Sequence, residues 1–300
     1  MSVEAVAPPE PAVAAERALD VIFGEAVDAP ARDCLRRSEE PARIACMIEL
    51  GFSGDSVAKE SALDLYREGG IVTGVNPARE MDGGWRGKLR LVPELPVGAH
   101  RRHLAWVAAA HRDVEAFFAA LASRAEAPIR YRWRALELRF FRSVGRTTPS
   151  AYAEGWAIAY NVSGSLHHSA DAVRETWFHE VFHLNDRDHG GWSQRALAPL
   201  FEAVVARCTE AGRLSTPCLA PFSPGDTMVR GGTFYSFQPG NGVVEYAAEL
   251  ALRYYREQRE TLAGRPLAKR PFKCGPDPNG EAWRLIATEF FGGVDVVPAC

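Results

Sequence analysis

The stretch from residue 174 to 190 reads Arg174-Glu-Thr-Trp-Phe-His-Glu-Val-Phe-His-Leu-Asn-Asp-Arg-Asp-His-Gly190. Within it His179, Glu180 and His183 form the spacing His-Glu-x-x-His. On a helix, positions i and i+4 share a face, so the two imidazoles converge on one point. Two neutral imidazoles so placed suit a tetrahedral Zn²⁺, and Glu180 projects beside the cation, where it can take a proton from water attacking a carbonyl. Trp177, Val181 and Leu184 recur at i, i+4 and i+7, and Phe178 with Phe182 at i and i+4, which predicts a helix with buried flanks. Aromatic residues on both sides of the histidines argue against a solvated face. Ser169 and Asp171 are candidate N-caps, and Gly190-Gly191 stops the helix.

The 300 residues, 47% of them hydrophobic, can bury one large core or two smaller ones. A net charge of −3 gives no reason to expect nucleic acid as a partner. No run of apolar residues is long enough to predict membrane insertion. The start, with its glutamates and prolines, lacks the basic and apolar regions of a signal peptide, so a cytoplasmic location is the default expectation. It reads as a disordered leader over residues 1–13, or as the start of a mature exported chain. Six cysteines, none in a Cys-x-x-Cys pair, disfavour a cysteine zinc site. They are compatible with three sequential disulfides in an oxidising, extracytoplasmic compartment, or equally with buried thiols in a cytosolic protein.

Helical patterns are expected over residues 14–23, 40–50 and 56–67, followed by short β-like runs at 71–75 and 88–92 around Asp82-Gly83-Gly84, suggesting a hairpin. Residues 14–95 therefore read as a helical accessory subdomain and 96–300 as the domain that carries the chemistry. A long helix over 99–125 bears His100, His103 and His111; the arginines beside them predict a solvated basic face. Residues 129–144 and 151–162 read as two strands, the second able to pair its free edge with an extended peptide. His167-His168 reads as an exposed loop pair. Helices are expected again over 195–211, 243–259 and 280–290, with a Pro/Gly-punctuated loop over 216–238.

Catalytic zinc normally takes three protein ligands and keeps one position open. Glu245 is one candidate: it lies one turn before Glu249 on an otherwise apolar helix whose Ala247 and Ala248 permit close approach. An acidic pair pointing inward calls for a cation; solvated, the pair would instead meet arginines such as Arg253. His189, six residues after His183, is the rival, as in His-Glu-x-x-His-x-x-Gly-x-x-His with Asp186 in place of the glycine and Met228 downstream as a methionine turn. The residues favour Glu245 and leave His189 open.

His-Glu-Val-Phe-His with Asp186 three residues on, then Glu245-Tyr-Ala-Ala-Glu249, resembles the gluzincin metallopeptidases of the anthrax lethal factor type over residues 129–259. The resemblance implies an α+β zincin fold, a small mixed sheet above the active-site helix. It implies Glu245 as third zinc ligand, Glu249 as the support of a histidine ligand, and a tyrosine upstream, Tyr235 here, as oxyanion stabiliser. The resulting expectation is a zinc-dependent peptidase acting on peptide or protein substrates: one Zn²⁺ on His179, His183 and Glu245, with Glu180 as general base. The alternatives are a metzincin-like peptidase using His189 and a zincin-shaped binding protein whose zinc is structural or whose cleft is occluded.

Overall fold

The computed structural model describes residues 13–84, 87–229 and 231–300, so the expected leader lies almost wholly outside the described residues. The chain forms two compact units, residues 13–115 with 133–184 and residues 116–132 with 185–300.

The first unit opens with α1 (Ala15–Phe23), α2 (Ala29–Asp33), α3 (Glu40–Gly51) and α4 (Ser56–Gly69). α1 buries Ala15, Ala18, Val21 and Ile22, one helical face. Asp28 and Asp55 start α2 and α4 by accepting hydrogen bonds from first-turn backbone N–H groups. Cys34 and Cys46 form a disulfide that ties the end of α2 to α3.

Next come β1 (Val72–Val75), β2 (Arg79–Asp82), β3 (Lys88–Pro93), α5 (Arg101–Ala122), β4 (Glu137–Ser143), β5 (Ala151–Glu154), β6 (Ala157–Asn161) and α6 (Ala170–Asp188). Among the described residues the strands form one mixed sheet in the order β2-β3-β4-β6-β5. β1 runs parallel to the first half of β4, and β3 runs antiparallel to its end. β6 runs parallel along the other side of β4. β4 is central and buried along nearly its whole length, as expected of a strand covered on both faces. α1 lies so close on β1 that a Cβ on Gly74 would stand 1.9 Å from the Val21 carbonyl oxygen, so only glycine fits there. The sheet curls: Arg79 of β2 and Glu154 of β5, at opposite ends of the strand order, pair at 2.7 Å.

Several expectations change here. The boundary placed at residue 95 falls between β3 and β4, which pair in one sheet. The hairpin around Asp82 exists, but β2 is the partner of β3, and β1 pairs with β4 instead. The strand expected over 151–162 is two strands joined by a tight turn, because Gly155 takes a left-handed conformation (φ 62°) and reverses the chain. In 129–144 only β4 is a strand; Ala135, at φ 52°, breaks the extended run before it. The alternating burial of Tyr131 and Trp133 comes from side-chain packing and not from a ladder.

The second unit contains α7 (Trp192–Ala196), α8 (Ala198–Arg207), the two-residue strands β7 (Thr209–Glu210) and β8 (Arg213–Leu214), α9 (Thr216–Leu219), α10 (Gly242–Leu262) and α11 (Asn279–Phe290). Its core is aromatic. Tyr131, Phe118 and Phe291 pack as a triangle with ring centroids 5.2, 5.4 and 6.1 Å apart, Phe291 stacks on Tyr254 at 4.3 Å between centroids, and Phe117 meets Tyr255 edge-on. Disulfides Cys208–Cys218 and Cys274–Cys300 close short loops, so all six cysteines are paired in sequence order.

Candidate metal centre

α6 is buried on both flanks of its polar edge: Trp177, Phe178, Val181, Phe182 and Leu184 are each at most 2% exposed. Ser169 caps its start, its hydroxyl oxygen accepting a hydrogen bond from the Ala172 N–H. Arg174 pairs with Asp113 and Asp171 on the first turns. So held, the helix presents His179 and His183 with their Nε2 atoms 3.0 Å apart. Two nitrogens each about 2.0–2.1 Å from a tetrahedral Zn²⁺ would stand roughly 3.3 Å apart, close to the spacing found.

Glu245, from the first turn of α10, completes a group with these two histidines: one ligand atom from each residue lies within 4.8 Å of the others. Two imidazole nitrogens and one carboxylate oxygen form a donor set that fits a divalent cation. These three residues, His179 buried and His183 and Glu245 half-buried, form a group that could hold a metal ion. Glu180 follows His179 on the same turn and is 8% exposed.

His189 is engaged elsewhere. Its Nδ1 lies 2.7 Å from Glu289 Oε1 and its Nε2 3.2 Å from the Arg130 carbonyl oxygen. Asp186 accepts hydrogen bonds from Ser193 N and Oγ, both at 2.7 Å, and so ties the end of α6 to α7. Met228 is 49% exposed, unlike a methionine packed beneath a metal. Arg253 pairs with Glu257, not with the Glu245–Glu249 pair.

Tyr235 opens a 3₁₀ turn just before α10 and is partly buried. Its N–H donates to the Thr227 carbonyl at 2.8 Å, and its carbonyl accepts from Asn241 Nδ2 at 3.2 Å. The loop before it is anchored by Ser223, whose hydroxyl donates to the Gly225 carbonyl at 2.6 Å and lies 3.0 Å from Ser236 Oγ.

In the sequence Gly225 is one turn residue among many in the loop over 216–238. A Cβ there would stand 1.9 Å from Glu249 Oε2, so the buried carboxylate occupies the space that any other residue would fill. Gly225→Ala is expected to lower stability by about 1–3 kcal/mol through overpacking. A urea titration reads this as a lower midpoint; an unchanged midpoint would mean that the carboxylate is not confined.

Three other histidines depart from expectation. His103 and His111, read as part of a solvated face, are 1% and 0% exposed, and His167, read as exposed, is 3% exposed. His168 beside it is exposed as expected. α5 packs its histidine-bearing side inward, where His103 Nδ1 meets the Tyr160 hydroxyl at 3.0 Å.

No protein-family model, no curated protein and no solved structure matches this chain.

Proposed function

We propose that this protein is a zinc metallopeptidase of zincin type, with His179, His183 and Glu245 holding one Zn²⁺. The observation that carries the reading is that one ligand atom from each of these three residues lies within 4.8 Å of the others, with Glu180, a group needed for turnover and not for holding metal, next to His179 in the sequence of α6. The engagement of His189 by Glu289 and Arg130 supports the gluzincin set over the metzincin one.

Zn²⁺ held there supplies Lewis acidity toward water and toward a substrate carbonyl. Glu180 takes the proton from the attacking water and returns it to the leaving amine nitrogen. The Tyr235 hydroxyl donates a hydrogen bond to the oxyanion that develops on the former carbonyl. β5, at one end of the sheet order, pairs its outer backbone edge with the extended substrate. Three disulfides support an oxidising, extracytoplasmic setting.

The test is cleavage of a mixed peptide library followed by mass spectrometry. Cleavage that stops with a chelator and returns with stoichiometric Zn²⁺ is expected. Stoichiometric zinc with no cleaved peptide would favour a zincin-shaped binding protein instead.

A further inference from the structure

We propose that residues 13–115 and 133–184 carry an acid-operated latch made of three histidines, His103, His111 and His167, which hold the unit closed only while they are neutral. The inference is independent of the metal centre.

An imidazolium has two N–H donors and needs two acceptors when it is buried. None of the three sites supplies both. His167 Nδ1 lies 2.8 Å from the Asn161 carbonyl oxygen, so the proton of the neutral ring sits on Nδ1 and Nε2 is bare; Nε2 is buried without a partner. His103 meets the Tyr160 hydroxyl through Nδ1, and its Nε2 is likewise buried without a partner. In His111 both ring nitrogens are buried and lack a hydrogen bond.

The neighbours do not rescue the charged forms. His103 faces Tyr160 from β6, His167 from the loop before α6, His100 from the 3₁₀ turn that leads into α5, and Arg102 from α5, with Trp106 edge-on at 5.2 Å. His167 lies flat on the Tyr160 ring at 3.8 Å, with His168 beside it. His111 faces Glu115 at 3.5 Å, but that carboxylate is already committed to Arg134 and Trp133, and Arg134 and Arg112 oppose a further positive charge. The end of α4 closes this site: a Cβ on Gly69 would stand 2.5 Å from His111 Nε2.

Burial, the largest cause in each case, holds all three rings down to about 4. The positive neighbours lower His103 further. Glu115 partly offsets the effect at His111, and the Asn161 carbonyl partly offsets it at His167. Because the folded value lies below that of the open chain, acid favours opening. The stability from keeping each ring neutral is complete above about pH 6.5, falls as the pH drops towards 4, and is gone below that. Between pH 7 and 5 each histidine contributes about a 20-fold rise in the unfolding equilibrium constant. His167 sits in the loop that leads from β6 into α6, so opening releases the run-in to α6.

The experiment is urea unfolding of the full chain at pH 7 and pH 5, in excess EDTA and again in excess Zn²⁺. It is paired with NMR titration of the histidine ring protons in the folded protein. The proposal expects a large loss of stability at pH 5 that persists in EDTA. His103→Asn, His111→Leu and His167→Asn should each remove a share of about 20-fold from that loss. Where a variant does not fold, the wild-type NMR titration decides: three rings stay neutral in the folded chain at pH 5. Equal stability at the two pH values, or these three rings protonating near pH 6.5 without unfolding, would overturn it.

Discussion

Glu180→Gln is expected to keep stoichiometric zinc and to lose about 10²–10⁴-fold in kcat, the usual contribution of a positioned general base. The substitution preserves the shape of the side chain on α6, between the buried Phe178 and Phe182, so the fold has no reason to change. What it removes is a basic oxygen able to hold the proton of the attacking water. Metal analysis and peptide hydrolysis on the same preparation separate the two roles. Zinc lost together with activity would mean that Glu180 holds the metal or the helix and does not serve as the base.

His183→Ala and Glu245→Ala are expected to cost more in metal affinity than the roughly 10–100-fold that loss of a supporting partner costs. Each leaves two of three protein donors. The two substitutions test different elements, since His183 tests α6 and Glu245 tests α10. Competition against a chromophoric chelator measures both. A Glu245→Ala protein that binds zinc as the parent does would remove Glu245 from the ligand set, and a parallel loss in His189→Ala would restore the rival assignment.

The parts of this architecture that were legible in the sequence are those written in local periodicity. α5, α6 and α10 all lie close to their expected spans, because apolar residues at helical spacing mark a face that must be buried. The donor spacing His179–His183 follows from helix geometry alone. Glu245 is legible as an acidic residue on an otherwise apolar helix.

Non-local pairing was not legible. Nothing near Val72–Val75 announces a parallel partner 65 residues later, since parallel register depends on the whole crossover. The β5–β6 hairpin was hidden because both strands are rich in small and apolar residues, and Gly155 alone marks the reversal. The buried histidines were misread for a different reason. Arg102 beside His103 and Arg112 beside His111 sit about 100° around the helix, so they say little about which way the imidazoles face. The better signal was present: His103, Val107, His111 and Val114 follow i, i+4, i+8, i+11 along the buried side of α5. Gly225 carried no local mark at all, because its role depends on a carboxylate that arrives from α10.

Anomalous diffraction at the zinc edge, on crystals of the full chain grown with Zn²⁺, measures the central claim most directly. The account predicts one strong peak bonded to His179, His183 and Glu245, at about 2.0–2.2 Å from each. A peak that leaves Glu245 uncoordinated, or the absence of any peak on α6, would contradict it.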